Sequence, residues 1–140
     1  MGNPVISVLG ESVEIFVTSK STNYSFCVGV QTSPPGGGPP PHKHEREDET
    51  FTVLEGQYEL FDGKSWIPLP KGEIRCSLRG NFHGFRNCGT TDGKMMFITN
   101  AGALDEYFEL ISPLALPRDI DRLTEISKHY GLIFLPPEGN

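Results

Sequence analysis

Short runs of β-branched and aromatic residues recur along this chain, each cut off by a turn signal within ten residues or so. Thr50 to Leu54 and Gln57 to Phe61 flank Glu55-Gly56, a hairpin-type turn. Asp62-Gly63 leads to Ser65 to Leu69, Pro70-Lys71-Gly72 to Glu73 to Leu78, and Arg79-Gly80-Asn81 to His83 to Asn87. Val5 to Leu9, Val13 to Thr18 and Tyr24 to Gln31 precede this series, and Lys94 to Thr99 and Glu106 to Ile111 complete it. Strands spaced in this way predict an all-β sandwich or barrel. The 16 Gly and 12 Pro of 140 residues supply the turns.

Two segments break the pattern. Ser33 to Pro41 is a Pro/Gly tract that could be a linker, but each side is too short to be a separate domain. A structured loop inside one domain is expected. Near the C-terminus, Ile120, Leu123, Ile126 and Tyr130 follow a helical spacing. Pro117 and Asp119 suit its start and Gly131 its end, giving a short helix over about 118–130. Ile133 to Leu135 is expected to pack back before Pro136-Pro137. The expectation is one domain over 1–140, with the barrel over about 5–112.

A net charge of −6 without a basic run argues against a nucleic-acid partner. No stretch reaches the length of a membrane span, and Met1 to Ile6 lacks the features of a signal peptide. Cys27, Cys76 and Cys88 are odd in number and never at C-x-x-C spacing, so reduced thiols and a cytoplasmic location are expected.

The histidines carry the chemistry. His42 and His44 are two apart, so on a strand their imidazoles share one face. Glu49 follows after a short connection, and a barrel could bring His83 to the same spot. Three imidazoles and a carboxylate suit a divalent first-row ion such as Fe, Mn, Ni, Cu or Zn, with coordination positions left open. Taken alone, His42-Lys43-His44 could equally be a polar strand edge, and most of Glu45 to Glu49 a solvated acidic loop. His129 reads as a surface residue of the C-terminal helix.

The joint spacing resembles the cupin superfamily. Gly36, His42, His44, Glu49 and Gly56 follow the family's first motif, G-x5-H-x-H-x3-4-E-x6-G. Gly72, Gly80, His83 and Asn87 follow the second, G-x5-P-x-G-x2-H-x3-N, with Leu78 where the motif has Pro. Both Asp48 and Glu49 fit the gap after His44, but only Glu49 is a Glu six residues before Gly56. The resemblance implies a conical jelly-roll barrel with one metal ion held inside by His42, His44, Glu49 and His83. It also implies a homodimer, formed through strands such as those in Val5 to Thr18.

If Glu49 and His83 point inward, Phe51, Val53, Phe85 and Asn87 share their faces, as core or as the wall of a substrate pocket. Tyr24, Phe26 and Tyr58 are further candidates for that wall. The resemblance implies three candidate functions: a quercetin dioxygenase-like metal oxygenase acting on an aromatic or other small organic molecule with Glu49 also as catalytic base; a metal-dependent isomerase or decarboxylase; and a non-catalytic small-molecule-binding module.

Overall fold

A computed structural model describes residues 2–136. Its strands form a jelly-roll barrel of facing antiparallel sheets. The larger sheet has the order β1-β2-β3-β10-β5-β8: β1 (Val5–Val8), β2 (Glu11–Val17), β3 (Phe26–Ser33), β10 (Gly93–Asn100), β5 (Glu49–Glu55) and β8 (Ile74–Ser77). The opposite wall is the sheet β7-β6-β9, from β7 (Trp66–Leu69), β6 (Tyr58–Phe61) and β9 (Gly84–Asn87). A ribbon of β4 (His42–His44) and β11 (Leu132–Phe134) continues that wall through an isolated bridge between His42 and His83.

Along β3 and β10, buried and accessible residues alternate strictly. The inward set, Cys27, Gly29, Gln31, Met95, Phe97 and Thr99, meets Phe51 and Val53 of β5 in register. Phe97 lies across Gly29, where a Cβ would strike its ring. Burial of these side chains drives closure of the barrel, at about 25 cal/mol per Å² of apolar surface removed from water.

The Pro/Gly tract is an ordered loop. Gly36 N–H donates to the Asn87 carbonyl and Asn87 N–H to that of Gly37, both at 2.8 Å. Gly38 has φ +128°, and a side chain there would collide with the Phe85 backbone, so only glycine lets the loop lie this close to β9.

The sequence pattern misread one element. Glu106 to Ile111, expected as a strand, belongs to helix α1 (Leu104–Ile111). Leu104, Tyr107, Phe108 and Ile111 recur at helical spacing and face the cavity, while Asp105 and Glu106 occupy the first turn, where acidic residues favour a helix. A window starting at Glu106 omits Leu104 and hides that period. Asp105 is itself buried and accepts hydrogen bonds from Ser19 N–H and Ser19 Oγ, which tie α1 to the turn before β3.

Helix α2 (Ile120–His129) lies within the expected range, buries Leu123 and Ile126, and leaves His129 exposed. Ile133 lies in β11, which pairs with β4 and thereby places the C-terminal segment beside His42 and His44. Pro137, the last residue of the expected chain stop, lies outside the described residues.

Candidate metal centre

His42 and His44 alternate with exposed-side Lys43 on β4, so both imidazoles point into the barrel. Glu49 opens β5 and faces them, and His83 enters from the residue before β9, locked to His42 by reciprocal backbone hydrogen bonds of 2.8 Å. The four side chains are buried, and one donor atom from each lies within 4.8 Å of the others. His42 Nε2 is 3.2 Å from His44 Nε2, and His83 Nε2 is 2.8 Å from Glu49 Oε1.

The ring orientations are fixed from behind. His42 Nδ1–H donates to the Pro40 carbonyl at 2.8 Å, and His44 Nδ1–H donates to Glu47 Oε1 at 2.7 Å. A carbonyl and a carboxylate only accept, so each ring presents its Nε2 toward the other. Two neutral imidazoles would then aim lone pairs at each other across 3.2 Å. That contact is tolerable only with a positive charge in it, either a proton or a metal ion.

The electrostatics agree. Burial, with His83 and His44 alongside, pulls His42 down to about 3. Burial also opposes charge on His44, but hydrogen bonds to Glu47 and Glu49 outweigh it and push that ring up to about 9. Burial would raise Glu49, yet His44 and His83 hold its carboxyl well below the usual carboxylate range. Without an ion, a proton on His44 supplies the charge that the anionic cluster requires. The donor set and the lone-pair geometry therefore fit a divalent transition metal.

Glu47 is the site residue that the sequence concealed. It stands in the acidic run expected to be mostly solvated, yet it is 2% exposed. Gly102, at φ +69°, makes room for it, because a side chain there would overlap the carboxylate. Spacing alone offers one clue: Glu47 lies three residues after His44, within reach of its outer nitrogen. Its neighbour Asp48 points outward to Arg79 and Asn100, which separates it from the cluster.

A cavity of about 260 Å³ adjoins the cluster, lined by His42, His44 and Glu49 and otherwise largely by apolar groups from β1, α1, β9 and β11. Phe85 lines it directly. Phe51 is buried behind His83, with ring centroids 5.8 Å apart, and Tyr58 packs on the far side of Phe85 at 5.8 Å; neither lines the cavity. Phe26 is 41% exposed on the opposite face of β3, and Tyr24 is exposed beside Glu106. Phe26 lies off the cavity because β3 turns its odd-numbered residues from Cys27 onward inward, and Tyr24 lies in the turn before β3. Cys27 is buried against Thr99, whereas Cys76 and Cys88 are exposed and unbridged. No helix of the described residues is long and apolar enough to cross a membrane.

Known proteins resemble this chain in sequence and fold. An oxalate-binding protein of Thermotoga maritima is 34% identical over 59 residues, which are 42% of this chain and 49% of the relative. The chain thus spans about half the length of that curated relative. The crystal structure of a predicted oxalate decarboxylase from Thermotoga maritima superposes with a TM-score of 0.61 at 24% identity, over 72% of this chain and 93% of the other. A sugar phosphate isomerase from Silicibacter pomeroyi gives 0.57 at 21% identity, over 65% and 59%. These likenesses to solved structures establish the fold. The cupin domain family matches residues 29–99, half of the chain and all four converging residues, and the chain belongs to that family.

Proposed function

We propose that this protein holds one divalent transition metal through His42, His44, Glu49 and His83 and acts as a metal-dependent dioxygenase on a small organic molecule bound in the adjoining cavity. The observation that carries the reading is the wall of that cavity: three of the four ligand side chains line it, the rest is largely apolar, and no Lys or Arg among the described residues lines it. Such a chamber favours an uncharged, apolar-bodied ligand over a small dianion. The ion supplies Lewis acidity and, for a redox-active metal, one-electron chemistry with O2.

The chain's own residues do the rest. Pro40 and Glu47 hold the His42 and His44 rings so that Nε2 faces the ion. Glu49 lines the cavity, where its carboxylate would serve as the base that accepts the proton of a ligand hydroxyl. Leu104, Phe108 and Phe134 keep the chamber dry. A second reading, metal-dependent isomerisation or decarboxylation without O2, draws on the relatives named for oxalate and sugar phosphate.

Metal analysis of protein purified without a chelating column should give about one ion per chain. Absence of metal in purified and reconstituted protein would overturn the metal reading. With metal present, a panel of hydroxylated aromatics should show one O2 consumed per substrate, since a dioxygenase places both oxygen atoms in product. Turnover without O2 uptake selects the second reading. Glu49→Gln should abolish turnover while retaining more metal than His42→Ala; full turnover by Glu49→Gln removes the base role.

We further propose that two copies pair through the outer face of the larger sheet. Its central rows bring together Ile74, Met96, Ile98, Val28 and Val30 with Thr50 and Thr52, Glu14 standing at the β2 end of one row, and Ile74 is 70% exposed. Six strands about 4.8 Å apart and roughly 20 Å long present on the order of 600 Å² in projection, near the ~800 Å² that each partner contributes to a standard interface. Sedimentation should find a dimer, and Ile98→Asp a monomer with unchanged metal content. A monomeric wild type removes the pairing.

A further inference from the structure

The cavity has a second polar end that the metal centre does not use. Glu11 on β2 and Gln31 on β3 line the same cavity as His42, His44 and Glu49. The Glu11 carboxylate is fully engaged: it accepts from Gln31 Nε2 at 2.8 Å, from Ser33 Oγ, and from Gly38 N–H at 2.7 Å. Because a carboxylate only accepts, Glu11 fixes which way the Gln31 amide faces. The NH2 turns to Glu11, and the carbonyl turns away. Oε1 of Gln31 accepts no hydrogen bond from the described residues, and it is not sealed into the wall.

The strand register sets Gln31 apart from the row that holds Glu49. Glu49 pairs with Thr99 and Thr99 with Cys27, so these three form one row across the sheet. Gln31 lies four residues beyond Cys27 on β3, with its side chain on the same inward face. Four residues of strand measure about 13 Å. A two-carbon diacid does not span that separation of rows, and a carboxylate beside Glu11 would be repelled, with no Lys or Arg lining the cavity to offset it.

We infer that Gln31 is a specificity-determining residue, whose Oε1 receives a hydroxyl or N–H donor at the far end of an elongated, uncharged-tailed ligand. The near end of that ligand is the one bound by the metal, so the inference rests on the metal reading above. The apolar stretch between the two polar ends, with Phe85 and Tyr107 in its walls, suits a ring or pair of rings. Ligand class follows: a metal-binding oxygen at one end, an apolar body, and a donor about a biaryl length away.

The test uses zinc-loaded protein, because zinc is redox-silent and the ligand is not consumed. Three probes are titrated calorimetrically: a phenylcatechol, the same molecule with a para hydroxyl on its distal ring, and the methyl ether of that hydroxyl. The hydroxyl compound should bind about tenfold tighter than either other probe, the effect of one well-placed hydrogen bond to an otherwise unpaired acceptor. Gln31→Met should bring the three affinities together. Glu11→Gln, which keeps Gln31 but lets its amide turn, should shrink the preference and raise the relative affinity of the ether.

A wild type that does not distinguish hydroxyl from ether overturns the inference, as does a preference that survives in Gln31→Met. Zinc-loaded protein that binds none of the three overturns the ligand class while leaving the metal reading intact. Protein that takes up no zinc overturns the metal reading first, and the two failures are told apart by the zinc content alone.

Discussion

The two faces of the larger sheet blur the usual distribution of polarity. Where one face of an antiparallel sheet packs on a core and the other meets water, residues alternate apolar inside and polar outside. Here the inward face includes Glu49, Gln31, Ser33 and Thr99 among its apolar residues, and the outward face centres on Ile74, Met96, Ile98, Val28 and Val30. Most of these inner polar groups are paired, Gln31 Oε1 being the exception. Thr99 is bonded to Cys27, Ser33 to Glu11, and Glu49 to His83. The difference teaches that the inner face is built for chemistry as well as packing, and that the outer face carries more apolar surface than a solvated sheet needs.

The largest effect that could break this comparison comes from two neighbours on β10. Phe97 is buried on the inner face and Ile98 is more than one-third exposed on the outer. Phe97→Ala removes a ring that lies over Gly29 and against Phe108, and should destabilise the metal-free protein by about 3–5 kcal/mol. Ile98→Ala should cost under about 1 kcal/mol at concentrations where the chain is monomeric, since little burial is lost. Urea unfolding of both variants reads the contrast. Equal losses would mean that the outer face is as much core as the inner.

A smaller effect tests how far the inner face's chemistry depends on support from behind. Glu47 touches no ligand position itself; it holds the outer nitrogen of His44. Glu47→Gln keeps a hydrogen-bonding group there but removes the charge, and should weaken metal binding by about 10- to 100-fold. The acid limb of metal binding should also move. Glu47 is one of the groups that raise His44, so in the metal-free protein the proton on that ring is held up to about pH 9. Without the carboxylate, His44 releases its proton at lower pH, and metal competes against a weaker proton. Metal titrations at several pH values should therefore show the proton-linked loss of affinity beginning near pH 9 in the wild type and only at lower pH in Glu47→Gln. An unchanged affinity and onset would remove Glu47 from the site.

How much of this was legible in the sequence follows from the same mixing of polar and apolar residues. The four converging residues were readable because two motifs fixed their spacing independently of hydrophobicity. The strand series was readable because glycine-centred turns mark its ends. Phe26 and Tyr24 were assigned to the cavity wall on their aromatic character, but the inward positions of β3 are Cys27, Gly29, Gln31 and Ser33. Size and polarity therefore pointed to the wrong face of this strand. Gln31 escaped notice for the same reason, since a polar residue in an apolar run reads as the solvent side. Glu47 was hidden by four charged neighbours from Glu45 to Glu49, among which only tertiary contact with Gly102 selects it for burial. Helix α1 was lost to a window that began two residues late.

The smallest effect reads the two faces with a single reagent. Cys27 and Cys76 stand on neighbouring rows of the same sheet, Cys27 inward and Cys76 outward. Burial raises the Cys27 thiol, so it is both shielded and protonated at neutral pH, and its sulfur lies 3.0 Å from Thr99 Oγ1. Thiolate is the reactive form, so a disulfide reagent should label Cys76 and Cys88 within minutes in the native protein and leave Cys27 until denaturant is added. Dimerisation through the outer face adds a second layer. Cys76 sits in the row with Thr50 and Ile98 and should label more slowly as protein concentration rises, while Cys88, outside the larger sheet, should not change. A concentration-independent rate at Cys76 would place the partner, if one exists, on another surface, and rapid labelling of Cys27 would show that the inner face opens to solvent far more often than its packing implies.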